Sequence, residues 1–354
     1  MGNYYLTFNS VERALARGAP LGSVKFDAHL LALLTKSGYK LSAVRLVSRI
    51  RPQPKAVFFE KEYFVAGLTF SLNHLKDFIM SNYATAVGVS LNNPRVVALP
   101  HVEPYVLLKY RMQGVDEQFK DLWVCRFMER MLKQRKALDL LASEYFRAKT
   151  AVVCYTEEQV NILSRVVPKA RKVLLPPPVT VDSVPVVREK MYDVLLPVTY
   201  WKTCDEGIAK VVRALKNRGL RVAIKDHLET KTFKILAEKF GVAYLGYTKN
   251  YADYLGELAS ARVVLDVSLC EAFGFRFAEA ILVGTPVVSV FRGWFKTVPQ
   301  IEELGTVTSI DYGELLSKQL EEVKRYTPEN FAENFKANFP FSMLDGGKGI
   351  DGWL

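Results

Sequence analysis

Apolar positions in D-A-H-L-L-A-L-L-T-K-S-G, residues 27–38, recur at helical spacing and stop at Gly38, a residue suited to closing a helix. A strand-like run at 4–8 and a loop carrying Gly18 and Gly22 precede it, and a Val/Leu-containing run at 42–48 follows. This β-loop-α-β order is the unit from which Rossmann-like sheets are built. Further strands are predicted at 56–60, 85–90 and 95–100, then a long helical stretch at 117–147 and a strand at 151–155. Thr156, followed by two glutamates, reads as the N-cap of the next helix. The strand at 172–175 runs into Pro176-Pro177-Pro178, a stiff connector that predicts a domain boundary near 180–190.

The second half alternates cleanly. Strands are predicted at 193–199, 221–225, 242–245, 263–267 and 286–291, separated by helices at 206–218, 230–240, 251–261 and 277–283. Short Val/Leu strands between helices predict a parallel sheet covered on both faces. The chain therefore reads as two α/β domains, residues 1–185 and 186–340, with a tail, 341–354, that packs Trp353 back on the first domain.

The length of 354 residues suits two such domains, and 49% hydrophobic with 24% charged residues is a globular balance. No apolar run approaches the roughly 20 residues that cross a bilayer. The opening M-G-N-Y-Y-L lacks the regions of a signal peptide and has Leu6 where a myristoylation signal has Ser or Thr, so a cytoplasmic protein is expected. Cys125, Cys154, Cys204 and Cys270 form no close pair and read as reduced, mostly buried thiols.

Charge is uneven. Residues 1–185 hold 26 Lys and Arg against 15 Asp and Glu, whereas residues 186–354 hold 22 of each, so the whole net charge of +11 lies in the first half. Such a field concentrates anions: diphosphates, acidic lipid headgroups or nucleic acid. The helical stretch 120–141 sets Trp123, Phe127, Met131 and Leu138 among arginines and lysines. It suits either an anionic membrane surface or an internal helix with a solvated basic face. A lipid acceptor or membrane inner face is the expected partner, ahead of nucleic acid, for which no recognition motif is present.

The densest chemistry lies in S-L-C-E-A-F-G-F-R-F-A-E-A-I-L-V-G-T-P-V-V-S, residues 268–289. A buried strand ends at Val267, a loop displays Glu271, and Gly274 lets the backbone approach a ligand before a helix starts. The N–H groups of Phe275, Arg276 and Phe277 then offer an anion site at the helix N-terminus, with Glu279 one turn in. A carboxylate accepts from two hydroxyls at once. Two carboxylates flanking an anion site suit a diphosphate between two polyols, which describes a nucleotide sugar. The residues alone also fit solvated helix-end charges.

The segment resembles the E-x7-E signature of glycosyltransferase family 4, usually E-G-F-G-L-x-x-x-E-A-x-x-x-G-x-P-V-V. It matches at Glu271, Phe273, Gly274, Glu279, Ala280, Gly284, Pro286, Val287 and Val288. The resemblance implies the GT-B fold, two Rossmann-like domains with parallel sheets facing a central cleft. It also implies a retaining, metal-independent glycosyltransferase that uses a nucleotide-diphosphate sugar and no cofactor. Glu271 and the backbone after it, Phe273 to Arg276, would hold the donor sugar and diphosphate, and Glu279 the ribose. More weakly, P-L-G-S around Gly22 resembles the family's glycine loop, and R-V-V-A-L-P-H, ending at His101, its strand to an active-site histidine. No D-x-D triplet, the metal-holding motif of the other main transferase fold, occurs anywhere in the chain.

One departure stands out. Where the family has Gly-Arg and then Lys-Gly after the first strand of the second domain, this chain has Y-W-K-T-C-D-E-G, with Tyr200 in the arginine's place. Charge developing on the leaving diphosphate needs a cation. Lys202, Lys225 and Arg276 are the candidates. The alternatives are a DNA-modifying glucosyltransferase, a nucleotide-sugar epimerase on the same plan, or a non-catalytic nucleotide- or glycan-binding relative.

Overall fold

The structure, a computed structural model, describes residues 3–6, 40–43, 64–67, 96–99, 151–157, 160–161, 164, 171–181, 189–198, 203, 205–227, 229–268, 273–290, 295–301 and 303–338. These residues fall into two compact units, one containing residues 179–327 and the other the strands before it together with the last described helix.

The first unit carries a six-stranded sheet: β1 (Asn3–Leu6), β2 (Lys40–Ala43), β3 (Phe64–Gly67), β4 (Val96–Leu99), β5 (Ala151–Cys154) and β6 (Arg171–Leu174). Their order is β2-β1-β3-β4-β5-β6, and every pair is parallel. β3 is a strand the apolar pattern missed. The strands expected at 56–60 and 85–90, the helical stretch 117–147 and the tail from 341 lie outside the described residues. Cys154 is a buried thiol, as expected, and burial pushes its pKa up to about 12 against the opposing pull of Lys172.

In the second unit β7 (Tyr192–Val198), β8 (Val222–Asp226), β9 (Ala243–Leu245), β10 (Ala261–Asp266) and β11 (Val287–Ser289) form a parallel sheet ordered β11-β10-β7-β8-β9. Helices α1 (Asp205–Lys216), α2 (Lys231–Phe240), α3 (Tyr251–Ala259), α4 (Phe275–Leu282) and α5 (Tyr312–Val323) connect or follow these strands. α1 buries Ile208, Val211, Val212 and Leu215, the i, i+3, i+4, i+7 face of an amphipathic helix. β8 is buried along its whole length, as a central parallel strand must be. α2 stops where Gly241 adopts φ 59° and returns its N–H to the carbonyls of Ala237 and Glu238. The exposed edge of β11 is closed by Gln319 of α5, which accepts from the Val287 N–H at 2.9 Å and donates to its carbonyl at 2.6 Å.

The last helix, α6 (Pro328–Asn338), groups with the first unit, whereas the sequence reading carried the second domain on to residue 340. Asn338 accepts from Arg171 of β6 at 3.3 Å, a contact within that unit. Among the described residues, no helix is long and apolar enough to cross a membrane.

Candidate functional site

β8 and β10 lie on opposite sides of β7, so the strand order reverses at the carboxyl end of β7. In an open α/β sheet, ligands collect at such a switch point. The polar residues of the second unit gather at this end: Lys225, Asp226 and His227 as β8 finishes, Asp266 and Ser268 as β10 finishes, and the first turn of α4.

The turn into α4 depends on Gly274, which adopts φ 81°, a left-handed conformation that side chains other than glycine resist. A Cβ there would also lie 2.8 Å from Cδ2 of Phe277. The helix begins tightly: the N–H of Phe277 donates to the carbonyl of Gly274 at 2.9 Å. That use corrects the expectation that Phe277 offers its amide to an anion.

The Phe273 side chain belongs to the core. Its ring is 2% exposed and meets Phe275, Phe295 and Tyr326 edge-on, with centroids 5.1, 5.2 and 5.4 Å away. Such rings anchor the turn by packing, so the Phe273 side chain supports the backbone that follows it. Arg276, at the same helix start, lays its guanidinium 5.2 Å from the centroid of the Phe277 ring and donates from Nη2 to Ser268 Oγ at 3.2 Å.

Glu279 sits one turn into α4 and is buried, 4% exposed. Its two oxygens are held separately: the Tyr251 hydroxyl donates to Oε1 at 2.9 Å and the Tyr254 hydroxyl to Oε2 at 3.1 Å. Burial and the Glu279 carboxylate both push Tyr254 well above the usual phenol range, so it remains a donor. Neither tyrosine was singled out from the sequence. Their i, i+3 spacing on a helix beside the signature was the available signal.

Lys225 is fully buried and faces inward. Its ammonium donates to the Gly246 carbonyl and to Thr248 Oγ1, each at 2.5 Å, and lies 2.6 Å from Glu257 Oε2 as an ion pair. Thr248 passes the link on by donating to Glu257 Oε1 at 2.7 Å. Lys225, expected as a diphosphate cation, thus engages three oxygens of its own unit. Beside it, His227 rests 5.3 Å from the Tyr254 ring, and its pKa is lowered to about 3 by burial, then by the Arg276 and Lys225 charges. The imidazole is therefore neutral near pH 7. Gly22, His101, Lys202 and Glu271 lie outside the described residues.

Two solved structures have the same architecture. A sucrose-phosphate synthase from Thermosynechococcus elongatus is 15% identical, with 97% of this chain and 96% of that chain covered and a TM-score of 0.57. A glycosyltransferase from Rickettsia africae ESF-5 is 10% identical, covering 98% of this chain and 99% of that one, with a TM-score of 0.54. The fold is GT-B. At these identities the likeness is one of fold. No protein-family model matches the sequence, and a search of the curated proteins finds no match. Within the GT-B frame, β10 (Ala261–Asp266) precedes α4 (Phe275–Leu282), which holds the buried Glu279.

Proposed function

We propose that the protein is a retaining glycosyltransferase that moves a sugar from a nucleotide-diphosphate sugar to an acceptor hydroxyl, with no resident metal or cofactor. The observation that carries this reading is the buried Glu279 carboxylate, held on both oxygens one turn inside a helix whose glycine-led N-terminus stands at the switch point. A buried carboxylate with fixed oxygens suits two adjacent ribose hydroxyls. The helix N-terminus and the Arg276 guanidinium suit the diphosphate. Glu271, earlier in the signature, is assigned to the donor sugar, and His101 and Gly22 to the reacting end of the first domain. Lys202 is the remaining cation of the loop after β7.

In the proposed mechanism the acceptor hydroxyl attacks the anomeric carbon from the face the nucleotide leaves. The departing diphosphate takes the acceptor's proton, and Arg276 with the α4 N-terminus stabilises its growing charge. The acceptor domain, which carries the whole excess of positive charge, is assigned an anionic lipid or membrane inner face in the cytoplasm. Co-sedimentation with anionic and neutral vesicles tests that assignment.

One observation favours a second reading, a nucleotide-sugar-binding relative without turnover: Tyr200 stands where the family has arginine, and Lys225 is already committed to Gly246, Thr248 and Glu257. Incubating the protein with a panel of nucleotide sugars separates the two. Release of nucleoside diphosphate, with the anomeric configuration of the product kept, supports the transferase. Tight donor binding without release supports the binder.

A further inference from the structure

A carboxylate buried in a protein needs donors, because leaving water without replacement hydrogen bonds is costly. Two of those of Glu279 come from one face of one helix. Tyr251 and Tyr254 lie three residues apart on α3, with ring centroids 6.0 Å apart and planes 28° from parallel. Their hydroxyls consequently reach the two oxygens of the same carboxylate, one each.

The consequence is orientation. The terminal torsion of a glutamate is broad, so one donor would leave the carboxylate plane free to turn. Two donors on different oxygens fix that plane. The Tyr251 hydroxyl also lies 3.3 Å from the carbonyl of Thr180, a competing acceptor. A single O–H proton serves one acceptor at a time, and the shorter contact is the one to Glu279.

A carboxylate has capacity for about four hydrogen bonds, two at each oxygen. With its plane fixed, the acceptor directions form a set pair, matched to hydroxyls on adjacent carbons. We infer that Tyr251 and Tyr254 are positioning residues that hold Glu279 as a two-point acceptor for the vicinal 2′ and 3′ hydroxyls of a nucleotide. They thereby set a preference for ribonucleotides over deoxyribonucleotides. The inference rests on the ribose role given to Glu279 above.

Isothermal titration with UDP, GDP and ADP, each beside its 2′,3′-dideoxy form, tests it on the wild type, Tyr251→Phe, Tyr254→Phe and the double variant. Phenylalanine keeps the ring and its packing and removes only the donor. For the nucleotide that binds best, the wild type is expected to prefer the ribo form by about tenfold or more, the worth of a charged hydrogen bond. Each single variant lowers that ratio, and the double variant brings it to within about threefold of unity, while dideoxy affinity stays near wild type. The ratio is internal to each protein, so a loss of stability does not move it, and the single variants stand in if the double one does not fold. A wild-type ratio kept by the Phe variants overturns the inference and leaves the ribose role of Glu279 standing. A ratio of one in the wild type, or no nucleotide binding, overturns that role and the inference with it.

Discussion

The Tyr254 hydroxyl donates to Oε2 of Glu279 across 3.1 Å, joining helix α3 to helix α4 inside the second unit. The glutamate proposed to bind the ribose is thus also a structural tie.

Replacing Glu279 with Ala is expected to lower both stability and nucleotide affinity. The buried Tyr254 hydroxyl loses its acceptor, at a cost of about 1–3 kcal/mol, whereas Tyr251 can turn to the Thr180 carbonyl. Chemical denaturation should show a loss of unfolding free energy of that order. Nucleoside diphosphate affinity should fall roughly 10- to 150-fold, the worth of lost hydrogen bonds to a charged group.

Gly274→Ala is expected to damage the turn while leaving the rest of the second unit folded. The residue would have to hold φ 81° and place a Cβ 2.8 Å from the Phe277 ring. Strain of this kind costs about 1–3 kcal/mol. Nucleotide affinity measured by titration should drop, whereas far-ultraviolet circular dichroism should match the wild type.

Lys225→Met is expected to destabilise by about 1–3 kcal/mol, because the half-buried Glu257 would lose its ion-pair partner. Adding Glu257→Gln should restore a good part of the loss, since the uncompensated charge goes with it. Urea denaturation of the two single variants and the double variant measures this coupling. Additive losses would show that the pair does not act as a unit.

Acid should weaken the fold through His227. Its folded pKa is lowered to about 3 from the ordinary 6.5, so below pH 6.5 the unfolded chain takes up a proton that the folded one refuses. The stabilising contribution is therefore complete above pH 6.5 and is lost as pH falls toward 3. Arg276, Lys225 and Tyr254 surround the ring, and the two cations deepen the effect. Between pH 7.5 and pH 5 the wild type should lose about 2 kcal/mol more than His227→Gln. Equal losses would show that His227 is not held neutral.

Much of the second unit was legible because buried parallel strands leave unbroken Val, Leu and Ile runs. The strand predicted at 221–225 is Val222–Asp226, and Gly241 ends α2 as glycine endings suggest. α3 stops at Ala259, short of the predicted 261, because Ser260 and Ala261 pass straight into β10 with neither glycine nor proline to mark the step. β3, F-V-A-G, went unread: four small or apolar residues after charged neighbours carry neither a period of two nor a long run. At the site, spacing brought out Gly274 and Glu279. Spacing does not say which way a side chain points, so the inward turn of Lys225 was not legible. The two tyrosines looked like any amphipathic face until Glu279 was seen between their hydroxyls.

The central claim, that this chain transfers a sugar from a nucleotide sugar, is tested most directly by nucleoside diphosphate release from a panel of nucleotide sugars. The wild type and Glu279→Ala are compared, with acceptors ranging from water to lipid hydroxyls. The account predicts release from at least one donor by the wild type, reduced roughly tenfold or more in the variant at donor concentrations below saturation. No release from any donor would contradict it, whether or not nucleoside diphosphates bind.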